Sequence, residues 1–488
     1  MTAEHIPIVL ASVFLSFVFL STFRVAAPGL TRRGLSPIVP PMFFRYLRSG
    51  WGLLAAVCAL LPFSVWAGEG ASAPAVFGIR IEFILFGLTL LGVALFHHKT
   101  MQVALTGLAA ITLYKLFFTG FHAGPGLAGL AGHLGHEWVT LMNLLGLLLG
   151  FEILSHHFSA SKIPAWLPKI LPAGAAGAFV LLVLVFVLSS FLDNIAAAMI
   201  GGTIAATVFK GRIHTGYLAA IVAASNAGGA GSVVGDTTTT MMWIDGVSPL
   251  DVLHAYIAAV TALLIFGVVA ARQQHKFHPI SHDGDIHVAI DYARVGIVAT
   301  ILAFAIVTNV IINTRFNHLA DLFPWLGVAV WAGILVTASV RRPHWGGIKD
   351  AFRGSVFLLS LVTCASMMPV ETLPKASWQT AFGLGAVSAV FDNIPLTKLA
   401  LAQGGYDWGF LAYAVGFGGS MLWFGSSAGV AISNLFHQAK NTGAWLRGGW
   451  HVAIAYVIGF FVLLYTLGWE PHPTHKETKA QPAAAAHR

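Results

Sequence analysis

The fold is decided by two similar stretches, SSFLDNIAAAMIGG beginning at Ser189 and SAVFDNIPLTKLAL beginning at Ser388. Each stretch places an Asp-Asn pair, Asp193–Asn194 or Asp392–Asn393, inside an otherwise apolar segment. A charged side chain in the core of a bilayer costs several kcal/mol, so such residues are rare and usually functional. The repeated pair predicts a polar site to which both halves of the chain contribute.

A Gly- and Ser-rich break lies in the apolar segment that follows each stretch. The two breaks are SNAGGAGSVVGD from Ser225 and FGSSAGVAISN from Phe424. Irregular backbone at membrane depth is tolerated only where it is buried in protein or lines a cavity. Matching interrupted segments in two halves of a membrane chain are the best sequence indication of a transporter binding site.

The composition places the whole chain in a membrane. Of its 488 residues, 57% are hydrophobic and only 9% are charged, whereas soluble domains carry about 25% charged residues. Apolar runs long enough to cross a hydrocarbon core of about 30 Å recur along nearly the whole sequence. The net charge of +8 therefore reflects basic cytoplasmic loops and does not indicate binding to nucleic acid.

These patterns predict an all-α polytopic membrane protein with about twelve transmembrane helices in two inverted-topology repeats, each with a re-entrant hairpin and a broken helix. The predicted segments are 1–80 for N-terminal helices (spans 6–23 and 51–67), 81–270 for the first repeat (hairpin about 173–209, broken helix about 215–245), 271–292 for a hydrophilic linker, 293–468 for the second repeat (hairpin about 376–403, broken helix about 408–436) and 469–488 for a polar tail.

The distribution of positive charge supports this layout. With the hairpins re-entrant, 19 of the 27 Lys and Arg residues lie on the cytoplasmic side and six lie outside, as the positive-inside rule requires. The first hairpin then opens to the cytoplasm and the second opens outward. The layout predicts a multi-pass protein of the bacterial inner membrane, with His133 and His136 on an outer loop before a span at 138–155.

Three carboxylates carry the predicted chemistry: Asp193, Asp392 and, in SVVGDTTTTMMW, Asp236. Each could cap a half-helix, because Asp is a preferred N-cap residue. Each could also bind a proton or a hard cation such as sodium, which takes oxygen ligands, and the two roles are compatible. The neutral polar residues expected to contribute to the same cation and proton site are Asn194, Asn393, Ser225, Asn226, Thr237, Thr238, Ser426 and Ser427.

Lys398 is a basic residue six positions after Asp392, on the outgoing arm of the second hairpin. It is a candidate charge partner for a carboxylate in the bundle, including Asp392 itself, where it would compete with a bound cation. Its long side chain could equally reach the outer interface.

At these residues the chain resembles the ion transporter superfamily, and within it the NhaD-type sodium/proton antiporters. The resemblance is most specific in SNAGGAGSVVGDTTTTMMWIDG, in the two Asp-Asn segments and in GGSMLWFGSSAGVAISN, and it covers roughly residues 80–465. It implies inverted repeats with two re-entrant hairpins, two broken helices and a homodimer. The superfamily also contains citrate and dicarboxylate symporters, whose hairpin tips carry a Ser-Asn-Thr motif where this chain has Asp-Asn.

The primary hypothesis is therefore a sodium/proton antiporter that uses carboxylates at the membrane midplane. It is not expected to be an enzyme, to hold a metal centre or to need a cofactor. Its transported or coupling ions are expected to be sodium ions and protons, and it is expected to be embedded in membrane lipid. The alternative is a sodium- or proton-coupled citrate or dicarboxylate symporter, although two fixed carboxylates would repel a dianion by several kcal/mol. A gated channel or a membrane scaffold is a third class, which the doubled charged hairpins disfavour.

Overall fold

A computed structural model describes residues 74–96, 99–280 and 288–473 of the chain. The predicted spans 6–23 and 51–67 and most of the predicted tail lie outside these residues. The described part is mainly helical, with a short antiparallel pair of strands, β1 (Ala75–Val76) and β2 (Ile79–Arg80), before the first helix.

Eighteen α-helices follow in the described part of the chain. In the first half they are α1 (Ile81–Leu95), α2 (Thr100–Tyr114), α3 (Gly126–Ala160), α4 (Ile163–Trp166), α5 (Gly174–Ser189), α6 (Asn194–Val208), α7 (Thr215–Ala230), α8 (Thr237–Ile244), α9 (Pro249–Leu253) and α10 (Ala255–Phe277). In the second half they are α11 (Tyr292–Arg315), α12 (Trp325–Thr337), α13 (Ile348–Ser366), α14 (Trp378–Ser388), α15 (Asn393–Gln403), α16 (Trp408–Gly418), α17 (Ser427–Leu435) and α18 (Thr442–Leu467).

Five helical segments in the described residues are long and apolar enough to cross a bilayer. Because a hydrocarbon core of about 30 Å needs roughly 20 apolar residues, these segments make the chain a multi-pass membrane protein. They are Thr100–Thr119, Gly126–Ala160, Pro249–Phe277, Tyr292–Ile312 and Thr442–Leu467.

The helices pack in two groups. Helices α1, α2 and α3 pack with α11, α12 and α13, and these six helices are called the frame below. The second group contains α5–α8 and α14–α17, which pack around α10 and α18. Helices α7 and α16 lie in contact at the centre of the second group, and every residue of α16 is buried.

Two helix pairs are joined by tight turns that carry the Asp-Asn motifs. The first hairpin is α5 and α6, joined through residues 190–193, and the second is α14 and α15, joined through residues 389–392. Helices α14 and α15 have 11 residues each and so extend only about 16 Å at 1.5 Å per residue. Such helices are too short to cross a bilayer singly.

Two further helices are interrupted in the middle. The first interrupted helix is α7 and α8, separated by residues 231–236, and the second is α16 and α17, separated by residues 419–426. The first break lies within SNAGGAGSVVGD, and the second overlaps the start of FGSSAGVAISN. Element order is therefore the same in the two halves: a helical hairpin followed by an interrupted helix.

Two predicted loop segments are helical in the structure. Helix α3 begins at Gly126, so His133 and His136 belong to a helix and the outer loop predicted there was wrong. Helix α10 continues to Phe277, so the first residues of the predicted hydrophilic linker are helical. Gln274 explains this extension: its side chain donates to the Arg212 carbonyl (3.0 Å) and accepts from the His214 amide (2.8 Å), which ties the polar end of α10 to the chain before α7.

Candidate functional site

Each Asp of the two Asp-Asn pairs caps the second helix of its hairpin. An Asp193 carboxylate oxygen accepts from the Ile195 amide at 3.2 Å, and an Asp392 oxygen accepts from the Ile394 amide at 3.1 Å. An N-cap carboxylate satisfies a backbone donor that the helix itself leaves unpaired. The capping interpretation is therefore present at both positions, and the other carboxylate oxygen remains for a second contact.

That second contact is also equivalent in the two halves. Thr237, the first residue of α8, donates to Asp193 at 3.4 Å, and Ser427, the first residue of α17, donates to Asp392 at 3.2 Å. Each hairpin tip is thus joined to the interrupted helix of its own half by a hydroxyl-to-carboxylate hydrogen bond.

The third carboxylate, Asp236, lies where the two halves meet. One oxygen accepts from the Asn194 side chain at 3.0 Å, and the other faces the Asn393 side-chain nitrogen at 3.5 Å. The second residue of each Asp-Asn pair therefore points at the same carboxylate. Asp236 is 1% exposed, so this contact is closed to bulk water.

Asn226 extends the network to the second interrupted helix. Its carbonyl oxygen accepts from Asn194 at 3.0 Å, and its amide donates to Ser420 at 2.9 Å and to Ser426 at 3.1 Å. We call Asn194, Asn226, Asp236, Asn393, Ser420 and Ser426 the central cluster.

The carboxylates of the site have no basic partner in the described part of the chain. Asp193, Asp236 and Asp392 form no ion pair there, and they accept hydrogen bonds from hydroxyl, amide and backbone donors. A buried ionised carboxylate is expensive unless its charge is compensated. The arrangement therefore suits a group that binds a proton or a cation.

A serine hydrogen bond joins each hairpin to the interrupted helix of its own half. Ser189 donates to the Ser225 carbonyl at 2.5 Å, and Ser388 donates to the Val415 carbonyl at 2.7 Å. Each serine lies four residues before the Asp of its hairpin. These bonds pair the first hairpin with the first interrupted helix and the second hairpin with the second in the same way.

The four consecutive threonines have different roles. Thr237 contacts Asp193, and Thr238 is fully buried beside Asp236. Thr239 donates to the Ser232 carbonyl at 2.5 Å, and Thr240 donates to the Val233 carbonyl at 3.0 Å. The last two therefore satisfy carbonyls that the break in the helix leaves without an intrahelical partner.

The Ser225 side chain contacts none of the three carboxylates. The Ser225 hydroxyl donates to the Val222 carbonyl of its own helix at 2.9 Å. Its backbone carbonyl accepts the hydrogen bond from Ser189 of the first hairpin.

Cavities reach the two peripheral carboxylates and differ in size. Asp193 lines a cavity of about 720 Å³ that Glu152 of α3 and Thr203 of α6 also line. Asp392 and Ser427 line a cavity of about 160 Å³ between the second hairpin, α1 and α17. Asp193 is therefore the carboxylate with the wider approach.

Lys398 pairs with Glu137 of α3, a residue that the sequence analysis did not single out. The Lys398 ammonium nitrogen lies 2.8 Å from a Glu137 carboxylate oxygen, and both side chains are largely buried. The expected pairing with Asp392 is thus not the one in the structure, and Lys398 is not extended to a solvated interface. Helix packing explains why: α15 lies against α13 of the frame, and from there the Lys398 side chain reaches Glu137 on α3.

Comparison with known proteins supports a transporter. No protein-family model matches the chain. Two sodium/proton antiporters of Arabidopsis thaliana align with it at 24% and 25% identity, over 61% of this chain and 76% and 55% of their own lengths. The Na(+)/H(+) antiporter NhaD of Alkalimonas amylolytica is 27% identical over 51% of this chain and 60% of its own length. The chain is similar to sodium/proton antiporters, one of them an NhaD.

This NhaD-type relationship is distant, and part of each relative lies outside the alignment. Two of these three relatives align over less than two thirds of their own lengths. Transporters of Mycobacterium tuberculosis whose function is uncharacterized align at 24% identity as well. The similarity supports a membrane transporter.

The sequence analysis missed three groups of residues in this candidate site. Ser420 belongs to the central cluster, Ser189 and Ser388 fix the hairpins, and Glu137 pairs with Lys398. The repeated position of Ser189 and Ser388, four residues before each Asp, was a usable signal. No sequence signal pointed to Glu137, because its partner Lys398 lies far away in the chain.

Proposed function

We propose that the protein is a sodium/proton antiporter in which Asp193, Asp236 and Asp392 are alternately protonated and cation-loaded. The observation that carries the proposal is three carboxylates that form no ion pair among the described residues and accept hydrogen bonds from amides and hydroxyls of both halves. A proton or a sodium ion can each compensate the charge of one carboxylate, and exchange requires that the two ions compete for the same oxygens. The names of the NhaD-type relatives agree with these ions.

The coordinating groups of the proposed site match a hard cation. Carboxylate and hydroxyl oxygens of Asp193 and Thr237 on one side, and of Asp392 and Ser427 on the other, are the ligand types that hard cations take. Amide oxygens such as that of Asn226 belong to the same class. No organic cofactor takes part, and the protein is proposed to be a carrier and not an enzyme.

The proposed membrane arrangement is two inverted repeats with about twelve crossings and both hairpins re-entrant. Equivalent contacts support it: Asp193 with Thr237 and Asp392 with Ser427 occupy matching places in elements of the same order. The charge distribution of the sequence puts the first hairpin on the cytoplasmic side. A bacterial inner membrane and a homodimer, which the family resemblance implies, complete the arrangement.

Lys398 bears on the alternative, a citrate or dicarboxylate symporter. An anion would need a basic group at the site to offset Asp392, and Lys398 was the candidate. Its charge is paired with Glu137. The pairing favours a cation as the substrate.

The test uses purified protein in liposomes with a pH-sensitive dye inside and an imposed proton gradient. We expect sodium or lithium to dissipate the gradient, and we expect Asp193→Asn and Asp392→Asn each to slow this by about tenfold or more, which corresponds to about 1.4 kcal/mol. Asp350→Asn is the matched control, because Asp350 is exposed on the surface. No response to any cation, together with labelled citrate accumulating under a sodium gradient, would replace the antiporter with the symporter.

Thr237→Val tests the role of the hydroxyl beside Asp193. Valine keeps the shape but removes one oxygen ligand, so we expect the sodium concentration for half-maximal exchange to rise about tenfold or more, as for the loss of a hydrogen bond to a charged group. Titration of the dye response with sodium measures it. Thr261→Val on α10 is the control, since the Thr261 hydroxyl bonds only to the Ile257 carbonyl of its own helix; equal shifts in both variants would remove Thr237 from the site.

A further inference from the structure

The frame helix α13 lies against a cavity and also against a hairpin. Ala351, Gly354 and Leu358, near its start, line the cavity of about 720 Å³ that separates it from α6 of the first hairpin. Helix α13 also packs directly against α15 of the second hairpin. The structure is therefore more open on the Asp193 side than on the Asp392 side, where the cavities are about 260 Å³ and 160 Å³.

Helix α3 shows the same asymmetry. Leu148, Glu152 and Ser155 line the large cavity, whereas Glu137, about four turns earlier at 3.6 residues per turn, lies 2.8 Å from Lys398. The side chains of Lys398 and Glu137 are 5% and 11% exposed. Of the ion pairs in the described residues, this one joins the frame to a hairpin.

The equivalent position in the first hairpin has no such contact. Lys398 lies six residues after Asp392, and Met199 lies six residues after Asp193. Met199 lines the open cavity. An uncharged residue thus stands where the hairpin is apart from the frame, and a paired lysine stands where the hairpin is in contact with it.

We propose that Glu137 is a positioning residue for transport, and that its ion pair with Lys398 holds the Asp392 side closed while Asp193 is accessible. The inference rests on the proposed function, since it assigns the pair to one of two alternating states. When the Asp392 side opens, α15 leaves the frame and the pair separates. Because a single buried charge without its partner is strongly unfavourable, separation requires water to enter, and the pair therefore biases the equilibrium toward the state seen here.

The test measures accessibility and so is independent of which ion is carried. Single cysteines are placed at Val430, which lines the small cavity, and at Thr203, which lines the large one, in a chain whose Cys58 and Cys364 are replaced by alanine. Purified protein in detergent is then labelled with a polar maleimide. In Lys398→Met and in Glu137→Gln we expect labelling of the Val430 cysteine to accelerate about fivefold or more, within the usual range of coupling between conformational states, and labelling of the Thr203 cysteine to slow.

Two controls separate positioning from folding. Lys349→Met removes a lysine from the exposed start of α13 and should leave both rates unchanged. The double variant Glu137→Lys with Lys398→Glu restores opposite charges and should return labelling toward the original rates. Unchanged labelling of the Val430 cysteine in folded single variants would overturn the proposal, even if exchange were lost. If a single variant fails to fold, Glu137→Asp replaces it, because this change keeps the charge on a shorter side chain. Unchanged labelling of the Val430 cysteine in Glu137→Asp would also overturn the proposal.

Discussion

Replacing Asp236 with Asn is expected to reduce proton exchange to the level of empty liposomes. The carboxylate of Asp236 faces the side-chain amides of Asn194 and Asn393, one from each hairpin. An amide at position 236 has nearly the same shape, but it cannot hold a proton or a negative charge and it directs its own donors at one of these partners. Hydrogen bonds to a charged group contribute about 1.5–3 kcal/mol each, so we expect a loss of at least about 100-fold.

The measurement is the dye assay in proteoliposomes, with elution volume and thermal unfolding recorded for the same preparations. Asp350→Asn makes the same chemical change on the surface, and exchange there should match the original protein. Asp236→Asn protein that folds and still exchanges sodium for protons at a similar rate would show that Asp236 only holds the two halves together. The carriers would then be Asp193 and Asp392 alone.

The position of the site could be predicted from the sequence because its residues interrupt apolar segments. Asp193, Asp236 and Asp392 stand out in a chain with only 9% charged residues. Glycine and serine mark both helix breaks for the same reason. The helical hairpins and interrupted helices of the structure coincide closely with the segments 173–209, 215–245, 376–403 and 408–436.

The connections within the site could not be predicted, because they join residues distant in the chain. Nothing in the sequence indicates that Asn194 and Asn393 face one carboxylate, or that Asn226 reaches Ser420. Lys398 shows the same limit: Asp392 is its nearest acidic neighbour in sequence, but packing of α15 against the frame brings Glu137 to it instead. Partner choice follows from helix packing, which periodicity does not determine.

At two glycines of the interrupted helices, we expect alanine to destabilise the protein, although helix propensity alone predicts that it stabilises. Alanine in place of glycine within a helix normally stabilises by about 0.5–1 kcal/mol. At Gly228 on α7, however, a Cβ atom would overlap the Phe186 carbonyl of α5, and at Gly418 on α16 it would overlap the Gly385 carbonyl of α14. These clashes are with backbone, which cannot rotate away.

Gly228→Ala is therefore expected to lower the free energy of unfolding by about 3 kcal/mol or more, at the upper end of the cost of overpacking. The change forces α7 away from the first hairpin and breaks the hydrogen bond from Ser189 to the Ser225 carbonyl. The contact between Asp193 and Thr237 is then lost, so we expect exchange to fall as well. Thermal unfolding in detergent measures the first effect and the dye assay the second. Gly383→Ala on α14 is the matched control, because a Cβ atom there meets no atom within 4 Å, and this variant should be as stable as the original protein or slightly more so. Equal stability of the two variants would mean that the hairpin and the interrupted helix are not held at backbone contact, and the shared geometry of the two halves would lose its physical basis.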